Sequence, residues 1–372
     1  MAFINESRFD ELLQKFPSLH ILVVGDFFLD KYLSIDPALS EISLETNQEA
    51  YQVVEIRRSP GAAGTVVSNL RALEVQVSAV GVIGRDGEGF DLKQGLAQRG
   101  VNIEVLIETP DRFTPTYTKP MLRSATPGGP ERELNRLDIK NRQPLPIDLE
   151  AAVVVQLDRL IPLVDGVVIA DQVQERNCGV ITDGVRAALA RLAEAYPSKI
   201  FVVDSRVRIG EFERVMVKPN LHEARSAIEA GGVEGWKIGK LESWKAGGSS
   251  GELSDLSNSD DMLALARACG QALFAKNQKP TFVTLGAQGV LVVTEAGVDH
   301  VPGIPMSGEI DVVGAGDSVM AGLVAGLGAG GTAKEAAFIG NMAASITIQQ
   351  LGTTGIASRE QLRQRYAEIR TR

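Results

Sequence analysis

The sequence predicts an α/β protein built on a mostly parallel central sheet with helices on both faces. Three observations carry that reading. Short, near-continuous apolar runs alternate with longer stretches of helical period. The runs are rich in β-branched residues, as strands covered on both faces are. The composition, 44% hydrophobic and 23% charged over 372 residues, belongs to a folded globular chain rather than a disordered or fibrous one.

In chain order, HILVVG (20–25) reads as the first buried strand, and QVSAVGVIG (76–84), DGVVIAD (165–171), KIFVVDS (199–205) and PTFVTLG (280–286) repeat its form. Helices are expected over roughly 63–74, 87–99, 148–163, 180–195 and 259–276. YQVVEIRR (51–58) and TPTYTKPMLR (114–123) instead show a period of two, with a further short candidate at RELNRLD (132–138). These predict a small second sheet with one exposed face, acting as a lid or a homodimer contact, its strands falling within 31–58 and 112–140. Segment 231–260 holds seven glycines, six serines and both tryptophans, Trp236 and Trp244, and reads as a flexible surface insertion. The expected organisation is one domain over 1–372 with its lid.

Several classes are excluded. A net charge of −9 argues against a nucleic-acid-coating surface. Cys178 and Cys269 stand far apart, and with His20, His222 and His300 as the only histidines, neither a disulfide scaffold nor a Cys/His metal centre is expected. The first residues lack the apolar core of a secretory signal, and no stretch is apolar enough for a membrane span. A cytoplasmic enzyme without a membrane partner is the leading class.

The informative residues should fall beyond the carboxyl ends of the strands. The sharpest signal is EIDVVGAGDSVMAGLVAGL (309–327). There Gly314, Ala315 and Gly316 open a helix whose unpaired N–H groups make an anion hole. Asp317 stands at its edge, placed either to accept a proton from an attacking hydroxyl or simply to cap the helix. GVIGRDGEG (81–89) reads as turn chemistry, with Asp86 capping the next helix. In SPGAAGTVVSN (59–69), small residues enter a helix where a sugar ring could lie against backbone, or where close packing alone is needed. Gly25-Asp26 and Asp30 follow the first strand, and aspartates there can hold sugar hydroxyls or sit in a solvated turn. Asn220 and Glu223, three apart after VKP, suit a hydrated magnesium ion or a helix cap. VTLGAQGVLVV (283–293) offers a nucleotide ledge or an ordinary hairpin.

Taken in this order, from about residue 20 to residue 357, the segments resemble the PfkB/ribokinase family of carbohydrate kinases, most closely its heptose-7-phosphate kinase branch. Carrying that likeness are the D-x-x-G-A-G-D block at 311–317, VVGDFFLDKY (23–32), P-G-A-A, TPTYTK (114–119), RLD (136–138), KPNLHE (218–223) and LGTTG (351–355). The resemblance implies a ribokinase-like three-layer α/β/α fold and ATP-dependent phosphorylation of a hydroxyl on a sugar or sugar phosphate, with Mg²⁺ and a monovalent cation such as K⁺. It implies Asp317 as the catalytic base, and the amides of Ala315, Gly316 and Asp317 as the anion hole after Gly314. Asp30, Gly61, Ala62 and Thr65 would line the sugar site, with Lys119 and Arg136 neutralising a sugar phosphate. Asn220 and Glu223 would organise magnesium and phosphates. Thr284, Gly286 and Gly289 would border the nucleotide, Asn341 would lie near its base, and Asp311 would help hold the monovalent cation.

The chain departs from the family pattern at three positions: Val312 replaces the usual threonine, Ala62 the second glycine of the sugar-binding pair, and Thr65 the asparagine that follows. The departures bear on substrate identity more than on phosphoryl transfer. They also keep alive a non-catalytic sugar or nucleotide binder on the same fold. A nucleoside kinase, with Tyr51 or Tyr117 as base clamp, is the further alternative.

Overall fold

The computed structural model of the chain describes residues 4–124, 126, 129, 131–231, 259–352 and 354–371. The expected insertion at 231–260, with Trp236 and Trp244, lies almost wholly outside the described residues.

Eight strands form the large sheet: β1 (His20–Gly25), β6 (Gln76–Val80), β12 (Gly166–Asp171), β13 (Ile200–Ser205), β14 (Met216–Val217), β15 (Thr281–Thr284), β16 (Val290–Thr294) and β17 (Gly297–Val301). Their spatial order is β17-β16-β15-β14-β13-β12-β1-β6. From β6 to β15 every pairing is parallel; β16 and β17 close one edge antiparallel. Along β1, Ile21 and Val23 enter one buried cluster and Leu22 and Val24 the other, so both faces of the sheet are covered. The first cluster is completed by α1 (Glu6–Lys15), α2 (Ala63–Ala72), α3 (Gly87–Gln98), α8 (Ala315–Gly328), α9 (Ala333–Thr347) and α10 (Arg359–Thr371). The second is completed by α4 (Ile147–Leu160), α5 (Asp183–Ala195), α6 (Leu221–Glu229) and α7 (Ser259–Asn277). The result is the three-layer α/β/α arrangement.

A second sheet stands over the carboxyl ends of the first. Its central strand, β2 (Phe27–Ile35), pairs antiparallel with β5 (Val53–Ala62) and parallel with β9 (Thr116–Leu122). β10 (Arg132–Glu133) and β11 (Leu137–Ile139) pair antiparallel with β9. Two short pairs, β3 (Glu41–Ile42) with β4 (Glu49–Ala50) and β7 (Val82–Gly84) with β8 (Ile107–Thr109), complete the strands.

Sequence and structure differ at three places. The run 76–84 breaks into β6 and β7 at Gly81, where a Cβ would stand 2.7 Å from the Phe27 ring and 2.9 Å from the Gly25 carbonyl. β5 extends through Pro60 and Gly61 to Ala62, because β2 offers it a partner as far as Phe27. And β2, FFLDKYLSI, starts at Phe27, before the lid segment expected at 31–58: its first residues read as the end of a βα unit, with no period-two signal. Asp86 does cap α3, accepting from the Gly89 amide at 2.7 Å, and it also ties down Thr114 at the entry to β9. Cys178 and Cys269 are both free and buried. Among the described residues no helix is long and apolar enough to cross a membrane.

Candidate active site

Helix α8 begins at Gly314, whose φ of 78° places it in the left-handed region where glycine carries no steric cost. A side chain there would meet the Thr354 methyl at 2.7 Å and the Thr65 methyl at 3.4 Å. The turn thus needs glycine on both counts. Of the three amides expected to form the anion hole, that of Ala315 is already engaged by the Val312 carbonyl at 3.1 Å. The amides of Gly316 and Asp317 lie in the unpaired first turn and point out of it.

Around that helix start the fold gathers one cation and three carboxylates from different elements. Lys218, buried after β14, sets its Nζ 3.0 Å from Asp204 Oδ2 at the end of β13. The same Nζ lies 3.8 Å from where a Cβ on Gly316 would be, at the mouth of the anion hole. Burial opposes the Lys218 charge, but Asp204, Glu223 and Asp317 together hold its ammonium above the ordinary lysine value. Burial, then the charge of Asp204, pushes the Asp317 carboxyl up to about 7, against the pull of Lys218. The same two causes push Glu223 to about 7. A carboxyl poised near neutrality is suited to accept a proton.

Asn220 and Glu223 make a reciprocal capping box on α6: Asn220 Oδ1 accepts from the Glu223 amide at 2.8 Å, and Glu223 Oε2 from the Asn220 amide at 2.8 Å. Capping and site chemistry are therefore not alternatives at this position. The cap spends one Glu223 oxygen while its charge still faces Asp204 and Lys218. Asn220 bridges to Thr284, placing β15 beside this turn. Beyond it, Gly286 (φ 56°) faces open space.

Three expected residues are committed to structure. A Cβ on Gly289 would stand 2.2 Å from the Val301 carbonyl, so its role is the tight β15–β16 turn. Asn341 is buried and donates to the carbonyls of Val301 and Pro302, both at 3.1 Å, which props the end of β17 and leaves no donor for a base. Asp311 accepts from the amides of Val313 at 3.0 Å and Gly352 at 3.3 Å, clasping the turn before α8 to the 348–356 loop. Asp26, too, is buried with both oxygens spent on the amides of Gln172, Val173 and Val180, which anchors the loop after β12.

The lid supplies the opposite wall. Asp30 on β2 pairs with Lys119 on β9 at 3.3 Å, and Lys119 also donates to the Tyr32 hydroxyl at 3.1 Å. Gly61 is required there, because a Cβ would fall 2.6 Å from Asp30 Oδ2. Arg136 lies 4.1 Å above the Tyr117 ring and pairs with Asp138 at 2.6 Å. The charge of Asp30 adds, after burial and Asp204, to the upward push on the Asp317 carboxyl. Thr65 is buried, with its methyl 3.4 Å from where a Cβ on Gly314 would stand. Ala62 sits at the lid-to-body junction with φ 53° and ψ −120°, a conformation normally left to glycine.

Four contributors lie outside the sequence expectations: Asp204, Arg206, Lys218 and Tyr32. Asp204 was legible by the logic applied to Asp26, a charged residue ending a buried apolar strand. Lys218 carried a weaker signal, a lysine between an apolar pair and Pro-Asn. Arg206 is exposed, bonded through Nε to Gln172 at 3.1 Å, and acts on Asp317 and Glu223 only through charge.

An α/β/α core with a β lid over a glycine-opened helix start is the arrangement that comparisons with known proteins also find. Residues 248–360 match the pfkB family carbohydrate kinase profile. The chain is 29% identical over 361 residues to the bifunctional protein HldE of Desulfatibacillum aliphaticivorans, and 30% over 355 residues to that of Citrifermentans bemidjiense. Those alignments take in 96% and 94% of this chain but 64% of each relative, so the chain spans under two thirds of their length. Among solved structures, phosphofructokinase-2 of Escherichia coli in complex with potassium has a TM-score of 0.65 at 19% identity, covering 95% of this chain and 99% of that one. Arabidopsis thaliana ribokinase complexed with ribose and ATP has a TM-score of 0.63 at 15% identity, covering 93% and 98%. These structures establish the likeness of fold.

Proposed function

We propose that the chain transfers the γ-phosphoryl group of ATP to a hydroxyl of a sugar or sugar phosphate. The observation that carries this reading is Asp317, a carboxyl held near neutrality on the first turn of a glycine-opened helix, with Lys218 beside it and the lid's Asp30 opposite. Asp317 accepts the hydroxyl proton as the oxygen attacks the γ-phosphorus in line and the bond to the leaving oxygen of ADP breaks. The amides of Gly316 and Asp317, with Lys218, absorb the charge that develops. Asp30 and Lys119 orient the acceptor, and Thr284 and Gly286 border the nucleotide.

Magnesium fits the residues present. Asp204 and Glu223 are two carboxylates beside the nucleotide side. Among the described residues no group of three His, Cys, Asp or Glu could hold an ion alone. When bound with the nucleotide, it neutralises phosphate charge. Asn220 acts by fixing Glu223. Asp311 accepts one backbone amide on each oxygen, so a lone pair on each remains for a monovalent cation.

The outer face of the lid exposes Ile56 and Leu137, and the neighbouring β3–β4 hairpin exposes Ile42 and Leu44. That supports a lid-to-lid homodimer, which light scattering on the purified chain would detect as a doubled mass.

Asp317→Asn should lower ATP-dependent phosphorylation about 10²–10⁴-fold across a panel of sugars while the protein stays folded. Undiminished turnover would remove Asp317 from the role of base.

A further inference from the structure

Tyr32 on β2 lies opposite Arg57 on β5 and opposite Lys119 on β9, so the three side chains form a row across one face of the lid. Arg57 Cζ stands 5.1 Å from the centre of the Tyr32 ring and Lys119 Nζ 4.7 Å. Lys119 carries the row on to Asp30 at 3.3 Å. At the other end, Arg57 reaches out of the lid. Its Nη1 donates to the Gly352 carbonyl at 3.2 Å, in the loop after α9, and its Nη2 donates to Glu131 Oε2 at 2.9 Å. Glu131 is itself fixed, its other oxygen accepting from Ser34 Oγ at 2.8 Å.

Gly352 is a joint between two bonds. Its carbonyl takes Arg57 from the lid, and its amide donates to Asp311 Oδ2 at 3.3 Å. Asp311 Oδ1 accepts from the Val313 amide at 3.0 Å, one residue before Gly314 opens α8. Gly352 takes a φ of 68° with open space where a side chain would stand, so no packed side chain holds it in place. A planar guanidinium binds two acceptors at once, as an ammonium on a flexible stem does not. On the opposite face of the lid, Lys31 pairs with Glu88 at 3.3 Å and Arg58 with Asp91 at 2.6 Å, and those ties run to α3 instead.

We propose that Arg57 is a positioning residue that couples closure of the lid to the start of α8. With the lid shut, Arg57 pins Gly352, Gly352 steadies Asp311, and Asp311 holds the turn that presents the Gly316 and Asp317 amides. The inference rests on the phosphotransferase reading for what that turn then does. Closure of a lid completes a catalytic constellation after the substrates have entered. Loss of the latch therefore lowers the fraction of loaded enzyme that is poised to react, and falls on kcat more than on KM.

The test is hydrogen exchange on the full chain, read at peptides covering 311–317 and 348–356, alongside ATP turnover on free and phosphorylated sugars of five, six and seven carbons. Arg57→Ala should speed exchange of the Asp311, Val313 and Gly352 amides about tenfold, the scale of one charge-assisted hydrogen bond, and lower kcat by a similar factor. Arg57→Lys, which reaches one acceptor of the two, should fall between. Arg58→Ala, which frees the lid from α3, should speed exchange in β5 but not at 311–317. Because both residues act through Gly352, the double variant Arg57→Ala/Asp311→Ala should turn over no more slowly than Asp311→Ala alone. Melting curves of the unliganded variants control for folding. Wild-type exchange at 311–317 in Arg57→Ala, an equal acceleration there in Arg58→Ala, an undiminished kcat, or additive losses in the double variant would each overturn the inference. Coupled exchange in Arg57→Ala with no sugar phosphorylated by the wild type would instead leave the latch standing and sink the phosphotransferase reading.

Discussion

Two helix starts face the same site and are built differently. Helix α8 opens through Gly314 at φ 78°, where glycine is unstrained and the next amides are left free. Helix α2 opens through Ala62 at φ 53° and ψ −120°, where a Cβ is strained, and no side chain caps it. The two touch through Thr65, whose methyl packs against the Gly314 turn. The first start is made for a fixed purpose, presenting donors to an anion at no conformational cost. The second stores strain where the lid strand β5 joins the body. Strain of this kind persists only where surrounding structure over-determines it. Here β2 pairing down to Phe27 and burial of Thr65 and Asn69 supply that. The difference sets an unstrained turn at the start of α8 against a strained one, held in place by its surroundings, where the lid joins the body.

The strongest way to break this comparison is at Lys218. Lys218→Met should lower kcat about 10²–10³-fold, the scale of losing one preorganised charge donor. It also strands Asp204, so the double variant Lys218→Met/Asp204→Asn should recover melting temperature but not activity. In pH profiles, activity should rise as pH passes about 7, where Asp317 loses its proton. Because Lys218 favours the carboxylate, removing it should move that rising limb to higher pH.

Linkage gives a second, independent reading of Asp317. Its folded pKa of about 7 is raised above the ordinary 3.8, so its contribution to stability is full below about pH 4 and is lost as pH rises through about 7. Asp317→Asn should therefore melt higher than the wild type at pH 8 and show a flatter pH dependence. Equal melting curves at pH 8 would mean the carboxyl is not held near neutrality.

The helix starts themselves give smaller and opposite effects. Gly314→Ala should destabilise by about 1–3 kcal/mol, from the left-handed φ and the Thr354 methyl 2.7 Å from the new Cβ. Ala62→Gly should stabilise by about 1 kcal/mol, the released strain being partly offset by a freer unfolded chain. Chemical denaturation of both variants against the wild type decides it. If both changes destabilise, the two starts are not different in kind.

The sequence alone determined the layered sheet, because continuous β-branched runs such as HILVVG cannot be covered on one face only. It also determined the glycine-opened turn, since Gly314, Gly316 and Asp317 act through local backbone geometry that the four consecutive positions 314–317 encode. Tertiary structure decided the rest. FFLDKYLSI becomes the centre of the lid only because β5 and β9 lie on either side of it. Lys218 becomes a partner of Asp317 only because β13 and β14 end side by side at the mouth of α8. Asn341 and Gly289, plausible nucleotide contacts by motif, are claimed by the end of β17. Charge and hydrogen bonding act over a few ångströms of space, whatever the separation along the chain, so the assembly of this site could be read only once the strands were in register.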